Sequence, residues 1–283
     1  MKIALTGATG LVGRFILNEA LAAGDDVLAL GRTAPGDASS FRDWSLDGPA
    51  PDLCGIDVLI HAALLHKPGR YRGGEGDDPD GFRRANVDGT ARLFEAAARA
   101  GVTRILFLSS RAVYGPKPPG APLSEDTACR PDTLYGQVKL EGERLLAESG
   151  VPGTSLRATG VYGAGWANKW RELFEAFARG DQTAPRVGSE VHGKDLAHAI
   201  RLLLDTPPAE APPICNVSDV LLDRQDLLAD WAGVTGQSGR LPERADASAF
   251  NEMTTDPLTA LGWRPGGRDR LRDTLREIAS EDT

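Results

Sequence analysis

Tyr135 and Lys139, in the run Tyr135-Gly136-Gln137-Val138-Lys139, stand four residues apart, so a helix would place them on one face and bring both to one site. A phenol has an ordinary pKa near ~10 and is a poor base at neutral pH. A neighbouring ammonium favours the phenolate, as would the positive ring of an oxidised nicotinamide. Tyr135 can then take a proton from a substrate hydroxyl while hydride leaves the carbon, or return it in the reverse direction. Lys139 would also hold the ribose next to the nicotinamide. Upstream, Ser109-Ser110 closes an apolar run, and a serine hydroxyl there can donate to a developing oxyanion. Ser110 is expected in that role, with Ser109 as the alternative. His61 reads as a packed residue rather than a catalytic one.

A second constellation supplies the cofactor site. Gly7, Gly10 and Gly13 follow an apolar run at 3–5 and open a stretch with helical spacing over 11–21. Strand, glycine turn and helix in that order bind a dinucleotide, the pyrophosphate resting on the helix N-terminus. Gly7 and Gly10 allow the turn and the close approach, and Gly13 removes a side chain where helix meets strand. Thr9, Leu11 and Val12 complete the expected cradle. After the next strand, Gly31-Arg32 stands where an acidic residue would bind a ribose diol, and a small residue plus a cation suits a 2′-phosphate. NADP is therefore favoured over NAD, the alternative being that Arg32 stacks on adenine or faces solvent. Asp47, with Leu46 before it, is a candidate for the adenine amino group or a simple turn residue. Ala62 and Ala63 leave room for cofactor to cross the sheet edge, and Asn86 is counted with the cofactor residues.

These residues need a scaffold of alternating strands and helices. Strands are expected at 26–30, 44–46, 58–60, 104–108, 153–157 and 213–217. Helices are expected from 81 to 100 and at 134–149, 169–179, 194–205, 223–231, 255–261 and 268–280. Residues 64–80, with His66, Lys67, Arg70 and Arg72, read equally as a solvated loop or a basic substrate lid. The fold class is α/β: a Rossmann-type doubly wound parallel sheet with a smaller C-terminal substrate lobe. The expected body is 1–163, rejoined by 191–218, and the lobe is 164–190 with 219–283.

The bulk properties agree with such a protein. The 283 residues suffice for one large core plus a small lobe, and 41% hydrophobic with 25% charged residues is an ordinary globular composition. A net charge of −8 argues against a nucleic-acid partner. No apolar run reaches the ~20 residues that span a bilayer. Cys54, Cys129 and Cys215 are scattered and odd in number, which shows neither a disulfide framework nor metal-ligand spacing. The expectation is a cytoplasmic protein without a metal.

The ordered motifs resemble the extended short-chain dehydrogenase/reductases, the NAD-dependent epimerase/dehydratase group. The resemblance rests on Thr6-Gly7-Ala8-Thr9-Gly10-Leu11-Val12-Gly13, residues 57–63, Asn86-Val87-Asp88-Gly89-Thr90, residues 109–115 and the Tyr135 to Lys139 run. It continues through 156–163, 191–197 and Leu261-Gly262-Trp263-Arg264-Pro265. It implies a seven-stranded sheet, Ser110, Tyr135 and Lys139 as catalytic residues, a sugar-type substrate, and homodimers joined through the helices of 86–100 and 134–149. Arg111-Ala112 stands where sugar-nucleotide dehydratases carry Asp-Glu, which argues against dehydration. Gly160 replaces an asparagine, and Ala164-Gly165 a Pro-Gly, of many nucleotide-sugar enzymes, so a free sugar, uronate or polyol acid is a credible smaller substrate. Two enzymatic readings stand: an epimerase that regenerates its cofactor, and a dehydrogenase or reductase that consumes it. A non-catalytic redox sensor is disfavoured because Ser110, Tyr135 and Lys139 are all present.

Overall fold

Short apolar runs bounded by turns, alternating with amphipathic helices, bury themselves as a parallel sheet with helices on both faces. The computed structural model describes residues 1–67 and 73–281; Arg70 and Arg72 of the expected basic loop lie outside them. The chain runs β1 (Lys2–Thr6), α1 (Gly13–Ala22), β2 (Asp26–Gly31), β3 (Ser40–Asp43), β4 (Val58–His61), α2 (Pro79–Ala100) and β5 (Arg104–Ser110). A 3₁₀ turn (Arg111–Val113), α3 (Leu134–Glu148), β6 (Gly153–Ala158), β7 (Gly160–Tyr162), α4 (Arg171–Ala178) and β8 (Val187–His192) follow. Then come α5 (Gly193–Asp205), β9 (Ile214–Val217), β10 (Val220–Asp223), α6 (Arg224–Thr235), α7 (Asp256–Ala260) and α8 (Gly267–Glu281).

Seven strands pair in the order β3-β2-β1-β4-β5-β6-β9, every neighbouring pair parallel. This is the doubly wound Rossmann sheet, and its order reverses between β1 and β4. Ligands of such sheets lie at the carboxyl ends of the strands beside that reversal. Alternation along β1 feeds two cores. Ile3 and Leu5 pack with Ile16, Leu17, Leu196 and Ile200 of α1 and α5. Ala4 faces the opposite side with Leu93, Phe94, Phe107 and Leu146, under α2 and α3.

Two features differ from expectation. The strand expected at 44–46 is instead β3, Ser40–Asp43, at the sheet edge, with all four residues exposed. An exposed edge strand of Ser-Phe-Arg-Asp carries no apolar signal, whereas Trp44 and Leu46 just beyond it are buried plugs of the second core. Trp44 donates its indole N–H to the Pro49 carbonyl at 3.1 Å, which fixes it as a turn residue. The second feature is a separate three-stranded sheet, β10-β8-β7, absent from the sequence expectations. Its core joins Tyr162, Trp170, Phe174 and Phe177 to Leu227 and Trp231 of α6 and Leu271 and Leu275 of α8. Within 219–283, α6 and α8 thus pack on the small sheet, while Leu258 and Trp263 pack into the first core of the large one. No described helix is long and apolar enough to cross a membrane.

Candidate active site

The turn after β1 is built by close backbone contact. Gly7 has φ +73°, a left-handed conformation that favours glycine, and a Cβ there would stand 2.9 Å from the Ala63 amide nitrogen. A Cβ on Gly13 would overlap the Gly7 carbonyl oxygen and lie 2.7 Å from its carbon. At Gly10 the nearest atom would be the Gly7 oxygen at 3.3 Å, so its outer side is open to a ligand. Side chains cap α2 (Asp78), α3 (Thr133), α5 (His192) and α6 (Asp223), whereas α1, α4 and α7 have no side-chain cap, and of these three only α1 follows a glycine turn at the sheet's reversal. An uncapped N-terminus behind an open glycine turn suits a pyrophosphate, with N–H groups and positive dipole directed at it. The residues present therefore fit a dinucleotide. Thr9 is exposed on the turn, and Leu11 and Val12 are half-buried at the start of α1.

Beneath this cradle lies a closed polar chain. Thr6 Oγ1 accepts from the Ala62 and Ala63 amides, both at 3.1 Å, and sits 2.7 Å from His61 Nδ1. Thr90 Oγ1 donates to the Asn86 carbonyl at 2.7 Å and lies 3.0 Å from His61 Nε2. With both hydroxyls so committed, Thr6 donates to Nδ1 and His61 donates from Nε2, a neutral ring. Burial, with a smaller contribution from the Lys139 charge, pushes His61 down to about 3. His61 is thus a structural strut that fixes Ala62 and Ala63 opposite Gly7. His192, also pushed down to about 3 chiefly by burial, caps α5 through its ring nitrogen, accepting from Lys194 N at 3.0 Å. Both rings stay neutral in the native state, whereas the unfolded chain takes up protons below pH 6.5. Stability is therefore expected to fall as pH drops from 6.5 toward 3, by up to roughly 1.4 kcal/mol per pH unit for each histidine. Urea unfolding across that range measures the slope, and His61→Gln should flatten it; an unaltered slope would remove His61 as its source.

Ser110 ends β5 and starts the 3₁₀ turn; its Oγ accepts from Ala112 N at 3.2 Å, which leaves the hydroxyl proton available for donation. Ser109 points to the other side of the strand and donates its hydroxyl to Glu143, so the two neighbours differ in what they can offer. Tyr135 lies half-buried in the first turn of α3, whose N-terminus is capped by Thr133 Oγ1 accepting from Gly136 N at 3.1 Å. One turn further, Lys139 is buried, donates from Nζ to the Leu108 carbonyl at 2.6 Å and lies 4.9 Å from the Phe107 ring centre. Burial lowers its amine to about 8, and the Glu143 carboxylate works against that shift. The fold thus brings the end of β5 and the first turns of α3 to the same carboxyl edge as the glycine turn.

The remaining expected residues occupy the rim. Arg32 is exposed immediately after β2. The Ser45 hydroxyl and the backbone amide of Asp47 hold the Asp47 carboxyl below its usual range, with weaker help from Arg32 and Arg92. Leu46 is buried, and its carbonyl accepts from Arg92 at 2.9 Å, tying this rim to α2. Asn86 uses its side chain on the segment after β4: Nδ2 donates to the Leu65 and Phe82 carbonyls at 2.8 and 2.9 Å, and Oδ1 accepts from Leu65 N at 2.8 Å. Any effect of Asn86 on a cofactor passes through that segment. Sequence reasoning missed Thr6, Glu143 and Arg157; Glu143 had a signal, since it repeats the four-residue spacing from Lys139.

A Rossmann sheet, a glycine turn at its reversal and a Tyr-Lys pair on the neighbouring helix define a nicotinamide-dependent enzyme. The model of the NAD dependent epimerase/dehydratase family matches residues 3–218, and the chain belongs to that family. It is 28% identical to dTDP-6-deoxy-L-talose 4-dehydrogenase (NAD(P)(+)) of Kitasatospora kifunensis, over 98% of this chain and 94% of that one. It is 27% identical to dTDP-4-dehydrorhamnose reductase of Mycolicibacterium smegmatis, over 100% of this chain and 87% of that one. Among solved structures it is similar to MoeE5 in complex with UDP-glucuronic acid and NAD, with a TM-score of 0.81, 25% identity and complete coverage of both chains.

Proposed function

We propose that the chain is an NAD(P)-dependent oxidoreductase of a nucleotide-linked sugar, interconverting a ring hydroxyl and a keto group. The observation that carries this reading is the placement of Tyr135 and the buried Lys139 four residues apart on α3, with Lys139 bonded to the Leu108 carbonyl near the end of β5, the strand that Ser110 closes. Two relatives aligned over nearly the whole chain bear the names of a 4-dehydrogenase and a reductase of dTDP-sugars, which supports net oxidation or reduction of such a substrate. The bound nicotinamide accepts or supplies the hydride. Gly7, Gly10 and Gly13, with Thr9, Leu11 and Val12, would hold its pyrophosphate, Ala62 and Ala63 would flank it, and Arg32, Leu46 and Asp47 would meet the adenosine end. In oxidation the substrate carbon loses hydride and its hydroxyl proton passes to Tyr135 as the C=O bond forms; reduction reverses both transfers. Ser110 donates to the substrate oxygen as its charge grows. The Lys139 ammonium would favour the phenolate by its charge and would hold the ribose next to the nicotinamide. The substrate lies between the large sheet and the lobe drawn from 164–190 and 219–283, and two chains pair through α2 and α3.

A second reading, an epimerase that regenerates its cofactor in each cycle, is supported by Gly7-to-Lys139 machinery that serves both fates. The test is a panel of dTDP- and UDP-linked sugars, their 4-keto forms, free sugars and uronates, with each nicotinamide cofactor. Stoichiometric change in cofactor absorbance with a nucleotide-linked sugar is the expected result. Turnover of free sugars alone would overturn the nucleotide part, and product without net absorbance change would select the epimerase.

Arg32 is proposed to meet a 2′-phosphate, making NADP(H) the preferred cofactor. Losing a hydrogen bond to a charged group costs about 1.5–3 kcal/mol, or roughly tenfold to a hundredfold in affinity. Arg32→Ala is expected to weaken NADP(H) by that factor and NAD(H) much less, as read by titration calorimetry. Equal losses would reject the 2′-phosphate contact.

A further inference from the structure

Burial and charge are opposed at Lys139. A buried amine tends to shed its proton, yet only its cationic form can stabilise a phenolate at Tyr135. The fold supplies a counter-influence one helical turn on, at Glu143, four residues beyond Lys139 on the same face of α3. Glu143 is buried, and its carboxylate is held from two strands. Ser109 of β5 donates its hydroxyl to Oε1, while Arg157 of β6 donates from Nε to Oε1 at 3.0 Å and from Nη2 to Oε2 at 2.7 Å. Arg157 is itself immobilised, donating from Nη1 to the Tyr114 hydroxyl and the Glu125 carbonyl, both at 3.1 Å. Tyr114 in turn donates to Asn216 Oδ1 at 2.6 Å, which carries the network to β9. A buried ion pair of this kind is weak evidence for stability, because apolar replacements often serve as well. Its orientation toward the Lys139 turn suggests another use.

We propose that Glu143 is a positioning residue, held in place by Arg157 and Ser109, that keeps the Lys139 amine cationic beside Tyr135. The proposal rests on the reading of Tyr135 and Lys139 given above. Among the described residues, the ionisable groups around Lys139 are few. From α3 itself come Tyr135 and Glu143; from β4, the neutral His61; from β6, Arg157, spent on Glu143. β5 presents the Phe107 ring and the Leu108 carbonyl. The buried face of α2 carries no ionisable side chain, and Arg111 of the 3₁₀ turn is directed to the Asn251 carbonyl and the Phe250 ring. Glu143 is thus the carboxylate that opposes the effect of burial on this amine.

Glu143→Gln in the full chain saturated with cofactor tests the idea, because it keeps the shape and removes the charge. Two quantities are read: the Lys139 titration midpoint, followed by NMR on ¹³C-lysine protein and assigned with Lys139→Met, and the alkaline limb of the turnover profile. The midpoint is expected to fall by about one pH unit, the limb moving with it, and Glu143→Asp should restore most of both. If Glu143→Gln fails to fold because Arg157 is left unpaired, the double variant Glu143→Gln with Arg157→Met removes both charges and should show a fall in the same direction but smaller, since the Arg157 cation that also disfavours the ammonium is gone. A midpoint that stays put in whichever of these folds overturns the proposal. A midpoint that falls while the limb stays put upholds the effect of Glu143 on Lys139 and instead overturns the catalytic reading of Lys139.

Discussion

Tyr135→Phe is expected to reduce turnover by about 10²–10⁴-fold, the usual contribution of one positioned acid or base, while cofactor affinity remains nearly unchanged. The substitution deletes one hydroxyl from a half-buried ring and leaves the first turn of α3, with its Thr133 cap, intact. The Lys139 bond to the Leu108 carbonyl does not involve the phenol and should survive. Cofactor binding by calorimetry alongside turnover of the sugar identified by screening separates the two effects. Turnover equal to that of the unaltered protein would remove Tyr135 from the chemistry. Loss of cofactor binding in parallel would instead make the phenol, which is also counted among the cofactor residues, a cofactor contact.

Gly13→Ala is expected to weaken cofactor binding by roughly tenfold to a hundredfold and to lower stability as well. The added methyl would overlap the Gly7 carbonyl oxygen and come within 2.9 Å of Ala8 Cα, so backbone rather than a flexible side chain must yield. Overpacking of this sort costs about 1–3 kcal/mol, and the displaced Gly7 is the residue that abuts Ala63 across the cradle. Gly10→Ala makes the comparison: its Cβ meets nothing in the protein closer than 3.3 Å, so it should fold normally and lose affinity only through the ligand. Denaturation midpoints and cofactor titrations of the two variants give the contrast. Full affinity in Gly13→Ala would mean that the turn tolerates an outward shift and is not the tight cradle described.

Both constellations are local, whereas several elements around them are not. The glycine turn is plain because its chemistry is local: a strand and three glycines lie within the first thirteen residues, and a helix starts at the last of them. The Tyr-Lys pair was plain for the same reason, a single helical spacing. β3 was misplaced by a few residues because an exposed edge strand has no buried face to impress on its composition, while the buried Trp44 and Leu46 beside it do. The small sheet leaves no local signal because its three short strands, β7, β8 and β10, come from separate stretches of the chain. Ser109 and Ser110 were indistinguishable as residue types, and only strand pleating assigned one to Glu143 and left the other at the cleft edge.

Taken alone, the amino-acid sequence determined the doubly wound class, through the alternation of apolar runs and helical stretches along the chain, and the strand-glycine-helix order at its start, and it placed Tyr135 and Lys139 on one helix. Tertiary structure decided the rest: that His61 is a neutral strut between two threonines, that Arg157 reaches from β6 to Glu143 on α3, and that Lys139 is buried. Ionisation depends on which groups distant segments bring into contact and how much water they exclude, and no local spacing records that.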